Sequence, residues 1–224
     1  MTSDLPTLPE GARFTEDGIY AQVLRHPPGQ GKRPALFLDR DGCIVVEAHY
    51  LHKVEDVALI DGAAATIARA NRFSIPVVIV TNQAGIGYGY FGWQSFLDVQ
   101  TTLHEQLSRH GAYIDAVYAC PFHVKGLPPY KHPNHPSRKP NPGMLLQAQL
   151  DMNIDLNRSW IVGDRSGDLE AGRNAKIEGG VHVLTGHGGR EGEREGAREL
   201  ASDTFKSVEA DSLADAYSVI PLID

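Results

Sequence analysis

The chain of 224 residues has only two cysteines, Cys43 and Cys120. Two thiols cannot make a disulfide framework, so a reducing, cytoplasmic setting is expected. No window holds ~18 consecutive apolar residues, which excludes a membrane span of the ordinary helical kind. The start, Met1-Thr2-Ser3-Asp4-Leu5-Pro6, lacks the basic residues and apolar stretch of a secretory signal. Cationic excess is missing too: 21 Lys plus Arg stand against 28 Asp plus Glu, a net charge of −7. That balance disfavours nonspecific partnership with nucleic acid or an anionic membrane. What is present, 42% hydrophobic and 22% charged residues, is ordinary for a globular protein with a buried core.

The texture changes once along the chain. Residues 1–33 carry Pro6, Pro9, Pro27 and Pro28 among several glycines and are expected as an N-terminal arm, with one short strand over Ile19 to Leu24. From Pro34 to the end, 34–224, apolar runs alternate with helical periodicity. Ala35 to Leu38, Pro76 to Val80, Ile114 to Ala119, Trp160 to Val162, Val181 to Leu184 and Thr204 to Val208 are expected strands. Helices are expected near Ala63 to Asn71, Trp93 to Leu107, Gly143 to Leu150, Asp168 to Ala175 and Ser212 to Val219. Gly186 to Glu199 is expected as a mobile turn running into a helix. The alternation predicts an α/β fold with an open, mostly parallel, Rossmann-like sheet and helices on both faces.

In such sheets ligands bind outside the carboxyl ends of the strands, where strand order reverses. The residues there are Asp39-Arg40-Asp41-Gly42, Thr81-Asn82-Gln83 and Gly163-Asp164-Arg165-Ser166-Gly167-Asp168, with Arg138-Lys139 ahead of a helix. Each alone has an ordinary explanation: a turn, a strand-end cap, a solvated charge. A calcium loop fails, because Cys43 and Ile44 stand where an oxygen ligand and a glycine are needed. Together, in this order, they describe a site. Asp39 is placed as a nucleophile toward phosphorus and Asp41 as the acid that protonates the leaving oxygen. With Asp164 these carboxylates repel one another and a phosphate dianion unless a hard cation intervenes, which points to Mg²⁺. Lys139 and Thr81 supply charge and a hydrogen bond to the phosphoryl oxygens.

The four motifs Asp39-x-Asp41, Thr81, Lys139 and Gly163-Asp164-x3-Asp168 resemble those of haloacid dehalogenase-like (HAD) phosphatases, from about Pro34 onward. Phe37 to Gly42, Val80 to Gln83 and Arg138 to Met144 are similar to the heptose-bisphosphate and histidinol-phosphatase branch. The resemblance implies a phosphatase acting through an aspartyl-phosphate on Asp39, with Asp41 as acid/base and Thr81 and Lys139 as phosphate ligands. It implies Mg²⁺ on Asp39, the Asp41 main-chain carbonyl and Asp164, and substrate contacts from Asn82 and Arg138. About forty residues separate Asp41 from Thr81, too few for a cap domain, so a capless molecule is expected, with a specificity loop at 120–138. The substrate class implied is a small phosphorylated metabolite, a sugar bisphosphate foremost. The rivals are histidinol phosphate or another small phosphate, and a phosphate-binding protein without turnover.

The branch carries zinc on this loop through Cys-x-His and Cys-x-Cys. Here Phe122, His135 and Ser137 replace three of those ligands, but Cys120, His123, His132 and His135 form a rearranged set, Cys-x2-His-x8-His-x2-His, able to take structural Zn²⁺. Without zinc, Pro121, Pro128, Pro129, Pro133 and Pro136 must stiffen the loop. Gly85, Gly87 and Gly89 are expected in a flexible loop at the pocket mouth, since Tyr90 and the intervening Thr81-Asn82-Gln83 spoil a dinucleotide fingerprint. His49 and His52 are expected at the surface, and Cys43 as a packed thiol.

Overall fold

The computed structural model describes residues 6–26 and 31–223. Residues 1–5 and 27–30 of the expected arm lie outside the described residues. The sheet has eight strands: β1 (Ala12–Phe14), β2 (Tyr20–Val23), β3 (Leu36–Leu38), β4 (Val77–Asn82), β5 (Ala116–Cys120), β6 (Trp160–Gly163), β7 (Gly179–Val183) and β8 (Lys206–Ala210). Their order is β1-β2-β5-β4-β3-β6-β7-β8. Every pairing from β5 to β8 is parallel, and β1 and β2 add an antiparallel edge.

The central strands are apolar in every residue because both faces are covered. Alternate residues serve opposite cores. Leu36, Leu38, Val77, Ile79 and Val162 pack with α1 (Ala63–Arg72), α3 (Trp93–Arg109) and α7 (Leu213–Ala216). Phe37, Val78, Val80 and Ile161 pack with α4 (Gly143–Met152), α5 (Ser166–Asn174) and α6 (Glu193–Glu199). This period of two makes a one-residue register slip costly, since it would exchange both cores at once.

Three sequence expectations change. The segment before Pro34 supplies two strands rather than one, and β2 pairs with β5 through Tyr20↔Ala119 to Val23↔Ala116. Ile19, Tyr20 and Ala21 are fully buried there, and Tyr20 stacks on Trp93 at 5.8 Å. The glycines after β4 form a short buried helix, α2 (Ala84–Gly87), instead of a flexible loop. A side chain at Gly87 would come within 2.2 Å of the Pro121 carbonyl, so the glycine permits close backbone approach to the 120–138 loop. The last strand begins two residues later than expected, at Lys206, and the last helix is a single turn, α7, followed by a 3-10 turn over Tyr217–Val219.

The chain winds outward from β3 in both directions, through β4 and β5 and then through β6, β7 and β8. The strand order therefore reverses between β3 and β6, where Leu38 pairs with Val162. No inserted domain separates these elements among the described residues, and no described helix is long and apolar enough to cross a membrane.

One half-buried group sets an acid limit on this scaffold. His104 on α3 has an Nε2 atom buried without a partner, and burial lowers its pKa from 6.5 to about 4. The native state thus binds fewer protons than the unfolded chain across that window, so stability is full above pH 6.5 and falls as the pH drops toward 4. Denaturant titrations at pH 7.5 and 4.5 should show the wild type losing about 2–3 kcal/mol more than His104→Gln on acidification. Equal losses would show that His104 does not titrate with folding.

Candidate active site

β3 ends at Leu38, so its next residue, Asp39, leaves the sheet beside β6, and the Asp39 N–H donates to Val162 O at 2.9 Å. The chain must then turn sharply. Gly42 takes φ +83°, and a Cβ there would lie 2.2 Å from Asp164 Oδ2; Gly186, at φ +57°, leaves an equal opening. Two glycines therefore make the space that holds the Asp164 carboxylate.

Asp39, Asp164 and Asp168 bring ligand oxygens within 4.8 Å of one another, all three buried. Lys139, 6% exposed, reaches into the cluster. Its ammonium sits 2.8 Å from Asp39 Oδ1 and 2.6 Å from Asp168 Oδ1, and donates to Val80 O at 2.8 Å. All three protons are used. Burial alone would lower this ammonium's pKa, but the Asp168 and Asp39 carboxylates outweigh it and raise the value. Asp164 has no such partner. Burial first, then repulsion from Asp39 and Asp168, pushes its pKa up to about 8, although His187 N–H donates to Oδ2 at 2.7 Å. Its other oxygen, Oδ1, is buried without a hydrogen bond. An orphaned carboxylate oxygen amid hard oxygen donors and uncompensated negative charge fits a divalent cation such as Mg²⁺.

Asp41 faces elsewhere. Arg40 Nη2 donates to Asp41 Oδ1 and Oδ2 at 3.0 and 2.9 Å, and Gln83 Nε2 donates to Oδ2 at 3.0 Å. Gln83 Nε2 also donates to Thr81 Oγ1 at 2.9 Å, joining the ends of β3 and β4. Arg40 is fully buried against Phe96 and Gln100. Neither Arg40 nor Gln83 was marked out by sequence, since an arginine inside Asp-Arg-Asp looks like a turn residue until the tertiary structure buries it. Asn82 exchanges two hydrogen bonds of 3.1 Å with the Lys139 main chain, holding that residue in place. Arg138 Nη1 donates to Phe122 O at 3.1 Å.

The carboxylates with Thr81, Asn82, Gln83, Arg138 and Lys139 line a cavity of about 360 Å³, sized for a small molecule. Its wall includes Tyr88 and adds residues that the sequence did not single out: Glu47, Tyr50, His187 and Arg190. His49, expected at the surface, also lines it, and His49 and Tyr50 both adopt left-handed backbone, φ 39° and 64°. Two consecutive non-glycine residues in that region carry strain, a feature that concentrates at ligand sites. Arg165 lines the cavity with its guanidinium 4.0 Å from Glu193. His52 instead stacks on Phe91 at 5.2 Å, and Cys43 is buried as a packed thiol.

The expectation of Zn²⁺ on Cys120, His123, His132 and His135 finds no support in the loop's geometry. Among the described residues only Asp39, Asp164 and Asp168 make a group of three or more potential ligands. His123 Nδ1 lies 2.9 Å from the Tyr88 hydroxyl, and His132 Nδ1 accepts from Asn134 N at 3.2 Å. His135 stacks on Phe122 at 3.9 Å, nearly parallel, and burial pushes the Cys120 thiol up to about 12. Cys120 Sγ and His135 Nδ1 lie 3.9 Å apart, but no third ligand atom of the set joins them within 4.8 Å, and Tyr88 and Asp17 engage His123 and His135.

An open α/β sheet with carboxylates and a buried lysine gathered at its switch point defines a hydrolase-like architecture built for an anionic substrate. A family model described as HAD-hydrolase-like matches residues 136–216. The D-glycero-beta-D-manno-heptose-1,7-bisphosphate 7-phosphatase of Mesorhizobium japonicum is 44% identical over 167 residues, 75% of this chain and 77% of that protein. A HAD-like phosphatase structure from Mesorhizobium loti superposes with a TM-score of 0.73 at 44% identity, covering 75% of this chain and 81% of that one. The D,D-heptose 1,7-bisphosphate phosphatase of B. bronchiseptica, solved with magnesium and phosphate, gives a TM-score of 0.67 at 25% identity, covering 82% and 95%. The chain belongs to the haloacid dehalogenase-like hydrolases and is a phosphatase.

Proposed function

We propose that this phosphatase removes the 7-phosphate of D-glycero-β-D-manno-heptose 1,7-bisphosphate with Mg²⁺, through an aspartyl-phosphate on Asp39. The 44% identity to a phosphatase of that name supports the substrate. The observation that carries the chemistry is Asp39 at the end of β3, held 2.8 Å from the Lys139 ammonium in a small cavity.

Asp39 attacks phosphorus in line, forming an acyl phosphate as the bond from phosphorus to the sugar oxygen breaks. Asp41 gives its proton to that departing oxygen, held in orientation by Arg40 and Gln83. Asp41 then takes a proton from water, which attacks the acyl phosphate and returns Asp39 as a carboxylate with release of inorganic phosphate. Thr81 and Lys139 stabilise the charge on the phosphoryl oxygens. Asp39, Asp164 and the Asp41 main-chain carbonyl would hold Mg²⁺, which supplies charge neutralisation between the carboxylates and the phosphoryl group.

The test is phosphate release from the heptose bisphosphate, histidinol phosphate and simple sugar monophosphates, each with Mg²⁺ or EDTA. Release from the bisphosphate should lead the panel and fall at least ~100-fold in EDTA, returning when Mg²⁺ is added back. Undiminished release in EDTA would remove the metal from the reaction, and preference for histidinol phosphate would move the substrate.

A further inference from the structure

The 120–138 loop starts at the end of β5 and delivers Arg138 and Lys139 to the cavity. Its two ends are joined by a turn from the far N-terminal edge of the sheet. Between β1 and β2, Thr15 to Gly18 make a tight turn closed by Gly18 N donating to Thr15 O at 2.9 Å. Thr15 Oγ1 holds Asp17 Oδ1 within that turn. The other carboxylate oxygen, Oδ2, leaves it and accepts from Ser137 Oγ at 2.6 Å, across 120 residues of sequence. The Asp17 carbonyl accepts from His135 Nε2 at 3.0 Å, while His135 Nδ1 accepts from Ser137 N at 3.1 Å. Both ring nitrogens are thereby assigned, with the proton on Nε2. The ring so fixed stacks on Phe122, whose carbonyl receives Arg138 Nη1. The turn itself fits closely, since a Cβ on Gly18 would come within 3.0 Å of the Phe122 ring.

We propose that Asp17 is a positioning residue for substrate recognition: by binding Ser137 and His135 it fixes the C-terminal end of the 120–138 loop, whose His135 ring stacks on Phe122 at the other end, and so aims Arg138 into the cavity. A residue that merely closed its own turn would keep both carboxylate oxygens local. Asp17 sends one oxygen and its carbonyl across to the loop, and both land on residues within three positions of Arg138. The ion–hydroxyl bond is of the stronger class, and its partner Ser137 is 3% exposed, where solvent cannot replace the lost acceptor. Asp17 touches neither the carboxylate cluster nor the cavity, and Lys139 keeps its own anchors on Asn82, Asp39 and Asp168, so loss of Asp17 leaves Asp39, Asp41 and Lys139 in place.

The proposal rests on the sugar-bisphosphate reading for its kinetic part only. The full-length wild type, Asp17→Ala, Asp17→Asn, Ser137→Ala and the double variant Asp17→Ala/Ser137→Ala are assayed on the heptose bisphosphate. Amide hydrogen exchange is followed in parallel without substrate. In Asp17→Ala, KM should rise about tenfold with kcat within about twofold, and exchange should quicken in 120–138 but not in β4 or β6. Asp17→Asn, which keeps an acceptor oxygen, should recover part of the KM. The double variant should be no worse than the more affected single variant, because both remove one bond. Wild-type KM in Asp17→Ala, a matched loss of kcat without change in KM, or multiplying effects in the double variant would each overturn it. If the wild type itself does not hydrolyse the bisphosphate, the substrate reading fails, and loop exchange alone decides: quickening confined to 120–138 supports the clamp, and unchanged or sheet-wide exchange overturns it.

Discussion

Asp39→Asn is expected to lower kcat by ~10⁴-fold or more while the protein stays folded. The amide has nearly the same shape, and its oxygen can still accept from the Lys139 ammonium, which keeps Asp168 as its counter-ion at 2.6 Å. What disappears is the negative oxygen that bonds to phosphorus in the proposed mechanism. The substitution also removes one of the two charges that push Asp164 upward, so the folded state gains relief from repulsion against the weaker lysine contact. The measurement is turnover of the heptose bisphosphate beside a thermal melt. Near-normal turnover by folded Asp39→Asn would exclude Asp39 as nucleophile, and a collapsed melt would assign it a structural role instead.

Lys139→Met should be the most damaging single change to stability. Methionine approximates the length of the lysine stem, so packing is nearly conserved and the lost charge dominates. Asp39, Asp164 and Asp168 would then face one another within 4.8 Å with no cation among them. Removing one partner from a buried ionic set costs about 3–5 kcal/mol, because the charges left behind stay desolvated. Denaturant titration in EDTA reads that loss, and Mg²⁺ should restore part of it by supplying positive charge at the same place. Activity should fall with it, since in the proposed mechanism the ammonium also stabilises the phosphoryl oxygens. A variant as stable as the wild type in EDTA would mean that Lys139 does not neutralise the cluster.

The central sheet was legible because its signal is local. Runs such as Leu36 to Leu38 and Val77 to Val80 are apolar on both faces, and each stops abruptly at polar residues. The strand ends therefore marked Asp39, Thr81 and Asp164, and one motif carried Asp168. The misses share a cause. Arg40 and Gln83 act through where their side chains point, which depends on the neighbouring strand. The glycines after β4 gave a loop signal, yet that turn is helical and Gly87 lies close against the Pro121 carbonyl. The four zinc candidates have ligand-like spacing, but spacing along a chain does not make side chains converge. Phe122 and His135, side by side as a stacked pair, occupy the corner instead.

By itself, the sequence determined the alternation of buried strands and helices, the two-sided core, and the identity of the acidic and basic groups at the strand ends. Those features follow from periodicity and from the free energy of burying apolar side chains, which act within a few residues. Only the tertiary structure decided that Asp168 and Asp39 share one lysine, that Asp164 keeps an orphaned oxygen, and that Asp17 reaches Ser137 across 120 residues. Those pairings depend on strand order and on the directions of side chains from separate elements. Hydrogen bonds and ion pairs are decided at distances near 3 Å, and only the assembled sheet brings such distant residues that close.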